Sequence, residues 1–263
     1  MTDPVFLGST MLLTGCIAGV LAGVFGIGGG IVIVPVLDAA LGIAGVDPAI
    51  RMHVAVATSL STIVPTSIAS ARAHHARQSV DFDVVRRWTV YVLIGAALGA
   101  ALASRLHSRT LALVFATLAL LVALKMLLLP AARNLTTGIP KSPLVPVVPF
   151  AIGGASSMMG IGGGTFSVLA LTLFGMPIHR AVGTAAMMGL AISIPGTLSY
   201  VLNGWGDPRL PAWSVGYVNL LGFCLIAPTT WLTAPIGARI AHAFSPKTLS
   251  IAFGAFLLIA AAR

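Results

Sequence analysis

Two glycine-rich stretches of identical sequence are the residues best suited to chemistry in this chain. Residues 26–30 read Gly-Ile-Gly-Gly-Gly, and residues 160–164 repeat that order. Glycine lets the backbone turn freely and approach a ligand closely. Helices that restart after these loops would direct free N–H groups and positive dipole ends at one point, which favours an anion. The candidate substrate-binding glycines are Gly26, Gly28, Gly29, Gly30, Gly160, Gly162, Gly163 and Gly164.

Glycine also serves close helix packing, which is the competing interpretation. Gly15, Gly19 and Gly23 have the four-residue spacing typical of packed helices, and we assign them to packing. Three consecutive glycines exceed what such packing requires. Neither loop is followed by the Lys-Ser/Thr of a phosphate-binding loop or by the acidic residue of a dinucleotide site. The two loops are therefore interpreted as site-forming breaks.

Polar side chains at matching places after the two loops form a second group of candidates. Thr58 and Ser59 follow the first loop and Thr184 follows the second, and their hydroxyls could replace water around an anion. Such hydroxyls can instead bond their own backbone. His53 and His179 also match and could carry a coupled proton, since histidine titrates near neutral pH. The alternative for both histidines is a polar helix end at the membrane interface.

Three further polar residues lie within apolar stretches. Asp38 and Lys125 would either contact a transport pathway or extend to the interface, because ionisable groups inside a membrane are costly. Asn219 would contact substrate or form a hydrogen bond between helices.

Composition indicates that lipid surrounds these residues. The chain is 57% hydrophobic and 8% charged with a mean hydropathy of +1.02, whereas soluble domains are about 25% charged. The net charge is +9, but the basic residues lie scattered at segment ends, which argues against a nucleic-acid partner. The two cysteines lack the spacing of a metal site. We therefore predict an all-α polytopic membrane protein without cofactor or metal.

Ten apolar segments follow one another along the chain. The second and seventh are shorter than the ~20 residues of a straight span, which predicts half-helices or hairpin arms. No basic residue precedes Arg51, so we expect the first segment to be retained and not to be a signal peptide. The segments are 5–25, 31–45, 52–71, 84–103, 110–129, 144–159, 165–176, 181–202, 212–236 and 248–262.

The segments divide into two halves with the same order, which indicates a duplication. We predict one transmembrane domain over 1–263, with repeat 1 at about 5–130, a linker at about 131–143 and repeat 2 at about 144–263. The loop after the third segment is rich in arginine and its counterpart is not, so the two loops should face opposite sides. This predicts an inverted repeat, with both termini outside and broken or re-entrant helices at the glycine loops. Each half would contain five spans, or three spans and a re-entrant hairpin.

The first glycine loop is followed by Ile-Val-Ile-Val-Pro-Val-Leu at 31–37 and by Ala-Thr-Ser-Leu at 57–60, and the second half has its own versions of these motifs. Together they resemble the TauE/SafE sulfite exporter family over nearly the whole chain. The resemblance implies a secondary transporter in the bacterial inner membrane that moves sulfite, sulfoacetate or related organosulfonates without a bound cofactor. The second half departs from the pattern, because Thr165 replaces Ile31. We therefore expect the two loops to contribute unequally.

Three functions could be built from these residues: a transporter that works by alternating access, a passive anion channel, and an intramembrane enzyme. An enzyme needs a nucleophile with its base or a set of metal ligands, and no such motif occurs here. We predict a transporter, not an enzyme, with a small anion and the lipid bilayer as partners. Gly95, Gly99 and Ala103 would form either a homodimer contact or a contact within one subunit. Cargo identity, direction and coupling ion stay open.

Overall fold

Helices dominate the part of the chain that the structure describes. This computed structural model describes residues 4–128, 146–245, 248, 251 and 252, and gives only the backbone of 4–7, 122, 123 and 125–128. Within these residues the elements are α1 Pro4–Phe25, α2 Gly30–Ile43, α3 Pro48–His75, α4 Phe82–Ala103, α5 Ser108–Leu128, α6 Val147–Met159, α7 Gly164–Leu173, α8 Ile178–Asn203, β1 Ser214–Val215, β2 Val218–Asn219 and α9 Leu220–Ala243. The prediction of an all-α protein is confirmed, apart from the short hairpin.

Five helices in the described part are long and apolar enough to cross a membrane. They are Gly8–Phe25 of α1 and the whole of α3, α4, α8 and α9. Large apolar side chains stand on their outer surface, including Leu98, Leu198 and Leu232, which are 56%, 56% and 69% exposed. Lipid accepts such a surface and water does not. The chain is a multi-pass membrane protein.

Short helices follow both glycine loops, as the segment lengths predict. α2 has 14 residues and α7 has 10, which corresponds to ~21 and ~15 Å at 1.5 Å per residue. A hydrocarbon core of ~30 Å is thicker than either helix is long. Neither helix crosses a bilayer alone, and whether these segments re-enter the membrane stays a prediction.

The helices pack mainly across the two halves. α1 lies against α9, α6 lies against α4, and α3 lies against α8 at the centre. A Cβ added at Gly23 would lie 2.6 Å from the Ala238 nitrogen, and Gly15 and Gly19 face α9 in the same way. The assignment of these three glycines to packing is confirmed.

The Gly95–Gly99 stripe of α4 is used inside the subunit. A Cβ at Gly99 would lie 2.6 Å from Gly154 Cα of α6, and a Cβ at Gly95 would overlap the Phe150 carbonyl. Of the two uses considered for this stripe, the structure contains the contact within one chain. A homodimer stays a separate prediction.

The predicted apolar segment 212–236 is not helical throughout. Residues 214–219 form an antiparallel hairpin, with Ser214 paired to Asn219 and Val215 to Val218. Trp213 and Gly216 have φ values of 61° and 53°, a conformation that ends regular helix. The predicted apolar segment therefore contains a hairpin, and its helix begins only at Leu220. The linker at 131–143 and nearly all of the segment 248–262 lie outside the described residues.

Candidate functional site

Both glycine loops are sharp breaks between helices, buried inside the bundle. Every residue of 26–30 and 160–164 is buried. Gly26, Gly28 and Gly29 have φ values of 67°, 73° and 82°, while Gly160 and Gly163 have 69° and 72°. These left-handed values strain any residue with a Cβ. The two loops differ at one position, because Gly162 lacks the positive φ of its counterpart Gly28.

The two loops contact each other. A Cβ on Gly30 would lie 2.9 Å from Ile161 Cα, and a Cβ on Gly164 would overlap the Gly26 carbonyl. A Cβ on Gly28 would lie 3.5 Å from Gly162 Cα. Gly30 and Gly164 are each the last residue of a loop and the first residue of the helix that follows. Each of them thus faces the other loop. The sequence therefore brings the two matching breaks to one buried place.

Isoleucine side chains from α3 and α8 cover this junction. Ile63 Cγ2 would lie 2.8 Å from a Cβ on Gly28 and 2.7 Å from a Cβ on Gly162, and Ile63 is 0% exposed. Ile192 of α8, also fully buried, contacts Gly163. In this arrangement the junction is closed by apolar side chains. The sequence reasoning missed both residues, because their approach to the loops is a long-range contact.

Three buried hydroxyls lie near the second loop. Ser156, Thr165 and Ser167 are 0%, 1% and 0% exposed, and their oxygens have no hydrogen-bond partner among the described residues. Ser156 Oγ lies 3.4 Å from where a Cβ of Gly163 would be. A buried hydroxyl without a partner costs about 1–3 kcal/mol. The hydroxyls of Thr165 and Ser167 at the start of α7, and of Ser156 in the last turn of α6, are therefore available to bind a ligand.

The first loop has no equivalent hydroxyls. The repeat alignment places Ile31 opposite Thr165 and Ile33 opposite Ser167, and both isoleucines are buried. The expectation that the two loops contribute unequally therefore has a structural counterpart. One sequence signal would have identified Ser167. It is a hydroxyl residue just after the second glycine loop, at a position where the first half has isoleucine.

Comparison with known proteins identifies the family. The family described as Sulfite exporter TauE/SafE matches residues 11–263. The chain belongs to the TauE/SafE family. A probable membrane transporter protein of Haemophilus influenzae is 38% identical over 251 residues, covering 95% of both chains.

More distant relatives carry similar names. A probable membrane transporter protein of Bacillus subtilis is 25% identical, covering 91% of this chain and 90% of its own, and one of Methanocaldococcus jannaschii is 24% identical, covering 94% and 91%. No solved structure matches. With its membrane-length helices, this TauE/SafE chain is a membrane transporter, and the family and relative names describe transporters, not enzymes.

The repeat-matched threonines of this TauE/SafE protein hold helix starts. Thr58 Oγ1 accepts a hydrogen bond of 2.9 Å from the Asn219 N–H, and Thr184 Oγ1 accepts one of 2.9 Å from the Asp81 N–H. Asn219 and Asp81 cap α9 and α4. Each threonine thus joins one half to the helix start of the other half. Their role in substrate binding stays a prediction.

Ser59 is the predicted hydroxyl that contacts a loop. Its Oγ donates a hydrogen bond of 2.8 Å to the Gly160 carbonyl. Asn219, in contrast, accepts from the Gly222 N–H at 2.9 Å and caps α9. This bond lies within the start of α9 and is neither of the two roles predicted for Asn219, a substrate contact or a hydrogen bond between helices.

The repeat-matched histidines have different surroundings. His53 Nε2 lies 3.2 and 3.0 Å from the Ala103 and Leu106 carbonyls, and its Nδ1 lies 3.3 Å from Ser108 Oγ. His179 Nδ1 is buried and unpartnered within the described ranges, and its ring stacks on His242. The structure therefore brings neither histidine to the glycine loops by direct contact.

The remaining ionisable candidates lie at the edges of the bundle. Asp38 pairs with Arg51 at 2.9 Å, and both side chains are about one-third exposed. The Lys125 side chain lies outside the described residues. In the loop after α8, hydrogen bonds from the Arg209 guanidinium lower the pKa of Asp207 to about 2. The Asp38–Arg51 and Asp207–Arg209 pairs neutralise each other's charge and have no contact with the glycine loops within the described ranges.

Proposed function

We propose that this protein is a secondary transporter of small sulfur-containing anions, sulfite, sulfoacetate or related organosulfonates, and that the anion binds at the junction of the two glycine loops. The observation that carries the proposal is the meeting of two buried helix breaks beside unpartnered hydroxyls. Broken backbone at membrane depth is tolerated where it is buried in protein or lines a cavity, and paired breaks in two repeats accompany transport sites.

The chemistry of the junction suits an oxyanion. Backbone N–H groups and hydroxyls are donors, and the loops themselves consist of glycine and isoleucine without an acidic side chain. Thr165 and Ser167, at the start of α7, lie where the helix dipole favours negative charge. Two or more such donors can bind different oxygens of a sulfite or sulfonate group.

The matched contacts between the halves support an inverted repeat and alternating access. The Thr58–Asn219 bond has its counterpart in Thr184–Asp81. Ile63 and Ile192 close the junction in this arrangement. Movement of one half against the other would separate the loops and move these side chains, which exposes the site to one side at a time. On this account the protein resides in the bacterial inner membrane, and the positive-inside rule places the arginine-rich α3–α4 loop in the cytoplasm.

A matched pair of threonines on α7 tests the proposal. Thr165→Val removes an unpartnered hydroxyl, so stability should not fall. Thr172→Val removes a hydroxyl that bonds the Val168 and Leu169 carbonyls of its own helix, and serves as the control. Both variants and the wild type are reconstituted into proteoliposomes, and uptake and efflux of sulfite and a sulfonate panel are measured with and without a pH gradient.

We expect Thr165→Val to lower flux and anion affinity while the protein keeps its thermal stability, and Thr172→Val to retain flux. Accumulation against a gradient by the wild type identifies a transporter, whereas flux that only dissipates gradients identifies a channel. Equal flux in both variants would refute the placement of the anion. Absence of flux for every anion would refute the substrate class.

A further inference from the structure

Three histidines from different helices meet at one end of the bundle. His74 lies in the last turn of α3, His242 in the last turn of α9, and His179 at the start of α8. The His242 ring centre lies 5.3 Å from that of His74 and 5.6 Å from that of His179, on which it stacks at 19°. We name these three residues the histidine cluster.

Hydrogen bonds determine where the neutral cluster carries its hydrogens. His74 Nε2 lies 3.0 Å from the Gly23 carbonyl, which can only accept, so this nitrogen carries a hydrogen. His74 Nδ1 then holds a lone pair, and the His242 Nε2 at 3.2 Å donates to it. Ser79 Oγ, 3.3 Å from the same His242 nitrogen, is a second acceptor. The other His242 nitrogen and one nitrogen of His179 are left to bind a proton.

Three of the four helix ends around the cluster favour a positive charge, whereas the start of α8 at His179 opposes it. α1, α3 and α9 end at Phe25, His75 and Ala243, all beside the cluster. The C-terminal end of a helix carries partial negative charge, which stabilises an imidazolium. Arg77 opposes this, because its charge acts on both His74 and His242. Of the other charged groups on these elements, Arg72 and Arg239 are exposed, and Arg180 is paired with Asp81.

A proton suits the cluster better than a metal ion. No group of three His, Cys, Asp or Glu within the described residues is placed to hold a metal, and stacked rings do not direct their nitrogens at one point. Rings this close repel each other once two are charged. The cluster is therefore suited to bind one proton at a time.

The cluster contacts the elements that hold the first glycine loop. Gly23, whose carbonyl accepts from His74, lies in the last turn of α1 just before Gly26. Val182, one turn after His179 on α8, contacts Gly26 through its carbonyl. His74 is 1% exposed, whereas His179 and His242 are half-buried. The cluster thus extends from the surface towards the loop.

We propose that the histidine cluster binds the proton that couples to anion movement, an inference that rests on the proposed transport function. The proton comes from bulk water at the half-buried edge, binds a ring nitrogen of His242 or His179, and returns to water after the protein changes state. Its charge shifts the His74–Gly23 contact and thereby the first loop. His53, at the opposite end of α3, takes no part.

Two measurements test this proposal independently. The first is ¹⁵N NMR of the histidine-labelled wild type in detergent without any anion, titrated from acid to alkaline pH. We expect His74 as the Nε2–H tautomer and linked pH-dependent changes in the signals of the three cluster rings, with exposed His75 as the reference ring. Independent titration of the cluster rings would overturn the proton site, whether or not the protein transports sulfonates.

The second measurement uses proteoliposomes with His242→Gln, His74→Gln and the control His75→Gln. We expect the cluster variants to lose accumulation driven by a pH gradient while exchange of labelled for unlabelled anion continues, and His75→Gln to retain both. Gradient-driven accumulation at the wild-type level in His242→Gln would overturn the coupling role. A wild type that moves no anion would refute the proposed function, and the NMR titration would still decide the proton site.

Discussion

Replacing Thr58 by valine separates a structural role from a substrate-binding role. Valine has the same shape without the hydroxyl, so the Asn219 N–H loses its acceptor. Thr58 is 0% and Asn219 is 7% exposed, so water cannot replace the lost bond. A buried unsatisfied donor costs about 1–3 kcal/mol, which lowers the folding equilibrium about 5- to 150-fold.

The corresponding substitution in the second half, Thr184→Val, provides the comparison for Thr58→Val. Thr184→Val removes the corresponding bond to the Asp81 N–H, which is only partly buried, so we expect a smaller loss of stability. Thr58→Ser and Thr184→Ser retain the hydroxyl and should stay close to the wild type. Thermal unfolding of the detergent-solubilised variants gives the order of stability. Anion affinity that falls in Thr58→Val while stability is unchanged would refute the capping role and assign Thr58 to the substrate.

Further predictions concern the junction of the glycine loops and the loop after α8. Gly164→Ala should destabilise the protein by about 1–3 kcal/mol, because its Cβ overlaps the backbone of the first loop, whereas Gly154→Ala meets its nearest neighbour at 3.5 Å and should unfold like the wild type. Ile63→Ala should raise the uptake of larger sulfonates relative to sulfite, and an unchanged ratio would contradict the covering role of this side chain. The Asp207–Arg209 pair should persist as pH falls to about 2. Because the folded pKa is lowered, its contribution to stability is present above the ordinary aspartate pKa and is lost through that acid range, which ¹³C titration of Asp207 would measure.

Local signals predicted the breaks and the helices correctly. Glycine runs interrupt apolar segments at 26–30 and 160–164, and the short segments after them are the short helices α2 and α7. These features depend on residues close in sequence, because helix length and backbone freedom are local properties. The shared order of the halves also identified Thr58 and Thr184 as a pair.

The features that the sequence did not predict depend on contacts between residues far apart along the chain. Nothing near Thr58 in sequence indicates that its partner is Asn219, and nothing near His179 indicates that His74 and His242 lie beside it. The hairpin at 214–219 was missed because each of its strands has only two residues and lies within a longer apolar segment. Hydropathy does not distinguish short strands from helix in such a stretch.

Selenite, the heavier analogue of sulfite, tests the binding site most directly. A structure of the protein loaded with selenite would locate the selenium by its anomalous signal. The account predicts one selenium at the junction of the glycine loops, with its oxygens within hydrogen-bond distance of Thr165 or Ser156. A selenium found instead at the surface cleft beside Asp81, Arg87 and Arg180, with none at the loops, would contradict it.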